Sequence, residues 1–309
     1  MVRSGLKRAV AGGVVTLLAG IVAGGPAYGD VARSVVAQGR AHGVRATYTM
    51  ADFVAVSEFF DGGGPVAQAL ADSTGRATSF SSLPYPGANA VNGPRNASVV
   101  TGVSSPSSYP FYVEADYPTA EKAALGDPSG TYALMATAGA GRAAAKGSVG
   151  GGASGSLTES SVVLDEGGVT RVVAQATSSA LSIGDGLLTI ASVTSRSEST
   201  LRPGDTEPVR KTALVIEGAR VGGQPVVIDA GGVHVADNGA PVPVGQGADQ
   251  LNQILEAGGL SVQVFKSAAP GVADLLVITS RHQVPGNPPG MFVWRIGGAS
   301  TEILIGTDS

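Results

Sequence analysis

The chain has no cysteine among its 309 residues, and this removes a disulfide framework, a thiolate zinc site and a lipid-modified cysteine anchor together. Charge is scarce as well. Asp, Glu, Lys and Arg make up 14% of the chain, against about 25% in ordinary globular domains. The net charge is −4 and the isoelectric point lies near 5.4, with no cluster of Lys and Arg beyond the first eight residues. That balance excludes nucleic acid as a partner, because phosphate binding needs a concentrated basic face. Aromatic residues are only 5% of the chain. What is abundant is glycine, with 46 residues, and small or aliphatic side chains, which bring the hydrophobic share to 43%. Such a chain collapses rather than staying disordered. At this length it can bury on the order of 70% of its unfolded surface, so it needs no covalent staples.

The first residues place Arg3, Lys7 and Arg8 ahead of an uncharged run from Ala9 to Gly25. Cationic residues followed by an apolar run are the pattern of an export signal. Five of the run's seventeen residues are glycine and Thr16 is polar, which makes it short and weakly apolar against the roughly 20 residues a permanent span requires. Ala27, Tyr28 and Gly29 set small residues where a signal peptidase would cut, and Asp30 would open the mature chain. The expectation is a signal peptide over 1–29 and an extracellular protein with no membrane attachment after cleavage; the alternative is an uncleaved N-terminal anchor.

Periodicity in the remainder favours strands. Val162 to Leu164 and Val169 to Ala180 flank Asp165, Glu166, Gly167 and Gly168, the pattern of a hairpin. The same grammar returns around Asp229 to Gly232 and around Gly184 to Gly186, where glycine supplies the positive φ of a tight reversal. Strands are also expected over Val44 to Phe60 and Val66 to Phe80, with Asp61 to Pro65 as the turn between them. Further strands are expected at Leu260 to Phe265, Asp274 to Gln283, Met291 to Ile296 and near Glu302 to Ile305. One segment differs. Leu251, Ile254 and Leu255 fall at i, i+3 and i+4, with Gly258 and Gly259 ready to end a helix, so a short helix is expected near 248–257. The fold class is therefore all-β, mainly antiparallel, a sandwich or wound sheet with that one helix. A Gly, Ala and Ser-rich stretch from Ala138 to Ser156 reads as a linker, an exposed loop, or part of one long strand over Thr131 to Ala145. The organisation favoured is one elongated β unit over 30–309, with two domains, 30–137 and 157–309, as the alternative.

Motifs that carry chemistry are sparse. No Gly-x-Ser-x-Gly elbow exists; Gly152 to Ser156 comes nearest and ends in serine. Ser-x-x-Lys occurs only at Ser4 to Lys7, inside the export signal. His42, His234 and His282 lie in unrelated segments and form no His-Glu-x-x-His pair, so no metal site is expected. Asp61, Asp165, Asp185, Asp205 and Asp237 sit beside glycine without the alternating oxygen ligands of a calcium loop, and turn formation explains them. Gly147 to Gly155 lacks the Lys-Ser or Lys-Thr ending of a phosphate loop. No cofactor is implied.

One region is unusual in composition. Six of the fifteen aromatic residues lie between Phe80 and Tyr117, interleaved with Pro84, Pro86, Pro94, Pro106 and Pro110. Rigid proline backbone and tyrosine faces suit a contact surface. Tyr85, Tyr109, Phe111, Tyr112 and Tyr117 are therefore the candidate binding residues, for cell-envelope polysaccharide or another surface protein. The competing reading is that these rings cap the open end of a core built from small residues.

The stretch Gly64, Pro65, Val66, Ala67, Gln68, Ala69 leading to Leu83, Pro84, Tyr85, Pro86, Gly87, and the later strand pair Leu181 to Ser199 followed by Val215 to Ile228, resemble the Gly, Ala and Val-rich secreted cell-envelope proteins of actinobacteria. The resemblance implies an extracellular or envelope location and brings no catalytic residue. Three functional expectations follow in order: a non-enzymatic secreted or envelope-associated β module with a structural or interaction role; a glycan or protein binder using segment 80–118; and a hydrolase whose site is assembled from distant strands.

Overall fold

The computed structural model describes residues 34–50, 60–83, 111–150, 154–237, 240–241, 246–282 and 289–306. The chain runs through β1 (Val35–Met50), β2 (Phe60–Asp72), β3 (Ala77–Ser82) and β4 (Tyr112–Tyr117). It continues through β5 (Lys122–Gly126), β6 (Tyr132–Gly139), β7 (Arg142–Val149), β8 (Gly155–Leu164), β9 (Thr170–Ile183) and β10 (Leu188–Leu201). Next come β11 (Val209–Glu217), β12 (Arg220–Val221), β13 (Gln224–Asp229), β14 (Gly232–Asp237) and β15 (Ala240–Pro241). Helix α1 (Gln246–Ala257) precedes β16 (Leu260–Phe265), β17 (Leu275–His282) and β18 (Gly290–Ile305). All strand pairs among the described residues are antiparallel, as the alternation predicts.

One sheet has the order β16, β17, β18, β1, β2, β3, β4; the other runs β15, β14, β13, β12, β10, β9, β8, β7, β6, β5, with β11 also on β10. Nearly every neighbour in a sheet is also a neighbour in sequence, the exception that ties the chain's two ends together being the pair of β1 with β18. Val35 stands opposite Ile305 and Met50 opposite Gly290, so these two strands match along their full length.

Several turns sit where the sequence places them. Asp165 accepts a hydrogen bond from Val169 N (2.8 Å) and Gly168 takes φ +77°, closing the β8–β9 hairpin. Others differ. Asp61 to Pro65 is not a turn but part of β2, paired with Val44 to Thr47 of β1. The reversal comes later, at Ser73 to Gly75, where the Asp72 carboxylate accepts from Thr74 N (2.8 Å) and Arg76 N (3.2 Å) and Gly75 is left-handed. A side-chain acceptor three residues ahead of a left-handed glycine outweighs a glycine run that can also lie extended. β1 starts earlier than expected and residues 51–59 lie outside the described set. The small-residue stretch from Ala138 is built into strands: β6 and β7 reverse at Gly141, and β7 pairs with β8. The two expected C-terminal strands are one, β18.

The sheets face each other unusually closely. Cα atoms of β1 and β9, or of β2 and β8, come within 8 Å, where stacked sheets ordinarily stand about 10 Å apart. Small inward residues permit this: Ala37, Ala41, Ala67, Ala69, Ala71, Ala174 and Ala176 are all buried. At Gly39 an added methyl would lie 2.6 Å from Ser160 Oγ and 3.0 Å from Val172 Cγ1. Serine and threonine fill the same layer and bond across it. Ser79 Oγ donates to Thr137 O (2.9 Å) and Ser81 Oγ to Lys146 O (2.9 Å). Thr301 meets Ser197 (2.8 Å) and Ser199 (2.7 Å) of the opposite sheet. Buried hydroxyls are tolerated here because most find an acceptor at once.

Partway along, the long strands exchange their inward and outward faces. In β1 the inward residues are Ala37 and Ala41 and then Val44; in β18 they are Ile303, Thr301 and Ala299, then Ile296. The change of parity falls at Gly43 and Gly297, which stand between two regular pairs without pairing, and Gly297 has φ +77°. The other sheet does the same. β9 turns in Val172, Ala174 and Ala176, then Leu181 and Ile183, with Ala180 at φ +53° between them. β10 turns in Leu201, Ser199, Ser197, Ser195 and Val193, then Ile190 and Leu188. A left-handed residue rotates the strand so that the next side chain points to the other face. Both sheets make this change together, so the interior continues from a narrow Ala and Ser lobe into a wider lobe of Leu, Ile and Val.

Helix α1 covers the wider lobe and packs against β14 and β16. Its end follows the expected geometry: Gly258 N donates to Ile254 O (3.1 Å), and Gly259 is left-handed. Leu251 and Leu255 are buried, but Ile254, the third residue of the periodic set, is 45% exposed. At 3.6 residues per turn, Leu251 and Leu255 are about 40° apart around the axis and Ile254 falls about 100° from Leu255, outside a narrow contact stripe.

Candidate functional site

In the wider lobe the sheets diverge and leave a cleft of about 450 Å³ lined by Val44, Leu181, Ser182, Ile183, Gly184, Asp185, Trp294 and Ile296. β1 and β18 supply one wall through the residues just past the face exchange, and the end of β9 supplies the other. The rim is a run of three left-handed residues, Gly184 (φ +63°), Asp185 (φ +53°) and Gly186 (φ +86°). A non-glycine residue in that conformation is uncommon, although aspartate tolerates it better than most. The run turns β9 into β10 tightly enough to leave the cleft mouth open, and Asp185 and Ser182 are its exposed polar groups.

Trp294, the only tryptophan in the chain, stands at the head of an aromatic row. Its ring stacks on Phe292 (centroids 5.4 Å, interplanar angle 14°), and Phe292 meets Tyr48 of β1 (4.4 Å, 33°). Tyr48 and Phe292 are direct cross-strand partners, and Phe292 and Trp294 are two apart on one strand, so the pleat alone puts the three on one face. Gly290 admits the Tyr48 ring: any side chain there would collide with its hydroxyl. Sequence reasoning missed this row. Alternation in Met291 to Trp294 does place Phe292 and Trp294 together, but their partner Tyr48 lies at the other end of the chain.

The predicted aromatic residues are dispersed. Tyr85 and Tyr109 lie outside the described residues. Phe111, 38% exposed, meets Tyr132 edge to face (5.8 Å). Tyr112, 41% exposed, tilts against Phe80 (5.9 Å) on the outer face of β3 and β4. Tyr117 alternates to the opposite face and, with Tyr132, packs against the end of the small-residue core. The strand thus separates Tyr112 from Tyr117.

The histidines stay apart, and among the described residues no group of three or more His, Asp or Glu side chains could hold a metal. His42 lies on the outer face of β1 with its imidazole where a Gly298 side chain would be. Burial holds its pKa below the ordinary 6.5, and the charges of Arg45 and Arg295 lower it further. His234 Nε2 faces Asp229 Oδ1 at 3.2 Å. A smaller cleft of about 220 Å³ runs beside β11 and is lined by Thr212, Leu214, Ile216, Ile228, Val264, Asp229 and Asp274 among others. Its two carboxylates are committed to turns: Asp229 accepts from Gly231 N (2.7 Å) and Asp274 from Ser267 N (3.0 Å).

No helix among the described residues is long and apolar enough to cross a membrane. Compared with known proteins, the chain matches no family model, no curated protein and no solved structure.

Proposed function

We propose that this is a secreted, envelope-associated β module without catalytic activity, and that it acts by holding a sugar-containing envelope polymer in the cleft headed by Trp294. One observation carries the reading: an indole, backed by two further rings, forms one wall of an otherwise aliphatic cleft whose mouth bears Asp185 and Ser182. A pyranose ring has an apolar face and a hydroxyl rim, so the aromatic wall receives the first and the carboxylate and hydroxyl receive the second. The volume lies at the lower end of the range for small-molecule sites, about 300–1,000 Å³, which suits one or two sugar units of a longer chain. Arg3, Lys7 and Arg8 ahead of the uncharged run from Ala9 to Gly25, together with the resemblance in composition, support an extracellular location.

Because Trp294 is the sole tryptophan, its fluorescence reports the cleft directly. Titration with solubilised envelope polysaccharide should shift its emission, and Asp185→Asn should weaken the response without unfolding the protein. An unchanged emission up to millimolar sugar units, or recovery of the protein from the cytosol on fractionation, would end this reading.

A further inference from the structure

Strand β11 bonds to β10 along one side and has no strand on the other among the described residues. Below the level of β12 the sheet therefore stops at an edge of nine residues, Val209 to Glu217. Such an edge offers a row of unpaired backbone groups to any extended chain of suitable register. Its outward face carries Val209 (51% exposed), Lys211, Ala213, Val215 (47%) and Glu217. Leu214 and Ile216 turn the other way, toward the wider core and the smaller cleft.

We propose that this edge pairs with the same edge of a second copy of the chain, antiparallel about a two-fold axis through Leu214. Self-complementarity of the segment argues for that occupant. In this register Lys211 stands opposite the partner copy's Glu217, and the symmetry repeats the pair. Neither residue has an ion-pair partner among the described residues: the carboxylate across from Lys211, Glu198, is engaged by Arg196 (3.4 Å), and Glu217 accepts only from Ser192 Oγ (3.0 Å). Ala213 faces Val215 of the copy, small against branched, which covers an exposed valine on each side. On the inner face Leu214 meets its own counterpart, and the incoming Leu214 and Thr212 enter the cleft bounded by Ile228 and Val264. Shifting the register by one residue would put Lys211 opposite Ile216 or Gly218, neither of which can pair with its charge, and send the incoming Leu214 to the outer face. A single strand pair buries less than the roughly 1,600 Å² of a standard interface, so the dimer is weak and concentration-dependent.

Two measurements test this. Sedimentation velocity of the purified protein across micromolar to submillimolar concentration should show a monomer passing to a dimer. Lys211→Glu should weaken the dimer by about tenfold, and Lys211→Glu with Glu217→Lys should restore it. The cysteine-free chain allows a register test as well. Ala213→Cys and Val215→Cys, prepared separately and mixed under mild oxidation, should crosslink as a heterodimer, because cross-strand Cβ atoms fall within disulfide reach. Each variant alone should crosslink poorly, since its own cysteines then sit diagonally. A wild-type protein monomeric at every concentration overturns the proposal, whatever the variants do. Crosslinking as efficient in the single variants as in the mixture overturns the register.

Discussion

Replacing Gly297 by alanine tests whether the exchange of faces is held at one backbone position. Gly297 has φ +77°, a conformation that costs an L-residue about 1–2 kcal/mol. The added methyl would also meet Ser195 Cβ at 3.1 Å and Val193 Cγ1 at 3.3 Å, both on the opposite sheet, which is tighter than normal packing. Overpacking of this kind typically adds about 1–3 kcal/mol. Against these stands up to about 1 kcal/mol gained because alanine restricts the unfolded chain. The net expectation is a loss of roughly 2–3 kcal/mol, or a fall in Tm of roughly 3–5 °C for a chain of this size. Thermal and urea unfolding followed by far-ultraviolet circular dichroism, with Trp294 emission as a local probe, would measure it. Gly204→Ala is the control. Its φ is +85° but nothing lies within 4 Å of the new methyl, so only the conformational term of about 1 kcal/mol remains. If Gly297→Ala loses no more stability than Gly204→Ala, the contact with the opposite sheet is not what fixes the exchange, and the account of the two lobes is wrong.

Two further outcomes follow from buried polar groups. Ser160 and Ser195 bury hydroxyls with no hydrogen-bond partner among the described residues, so Ser160→Ala should leave stability unchanged or raise it by up to about 1 kcal/mol, whereas Ser197→Ala, which removes bonds to Gly271 O and Thr301 Oγ1 while each keeps one other partner in Thr301 N and Ser199 Oγ, should cost about 0.5–1.5 kcal/mol in urea unfolding. The His42 pKa is lowered by folding, so the unfolded chain takes up the proton first as pH drops through 6.5. Stability should therefore be complete above pH 6.5 and decline below it, and His42→Gln should flatten that slope when urea midpoints at pH 7.5 and 5.5 are compared.

The proposed sugar site and the proposed edge pairing occupy different parts of the molecule. The cleft of Trp294 opens between β1, β18 and the end of β9, and the edge lies on the far side of β10. A dimer through β11 would leave both clefts of Trp294 accessible and link two sugar sites in one particle, which raises avidity for a repeating polymer without any new contact. The two readings still fail separately: fluorescence addresses the cleft, and sedimentation addresses the edge.

The amino-acid sequence by itself determined the all-β class, the hairpins at Asp165 to Gly168 and Asp229 to Gly232, and the short helix near 248–257 with its glycine end. Each of these depends on residues a few positions apart, through alternation, turn acceptors and left-handed glycines, so the signal is local. It also determined that no disulfide braces the fold, which leaves burial and hydrogen bonds to do so. The tertiary structure decided the rest. That Asp61 to Pro65 lies extended follows from the presence of β1 alongside it, not from its own composition. Whether an alanine or a serine faces in or out depends on which side of Gly297 and Ala180 it falls, and that parity change is invisible to a count of alternation in which both faces carry small residues. Trp294, Phe292 and Tyr48 become one row only because the first and last strands pair along their whole length, and such long-range pairing is written in register rather than in any short stretch of chain.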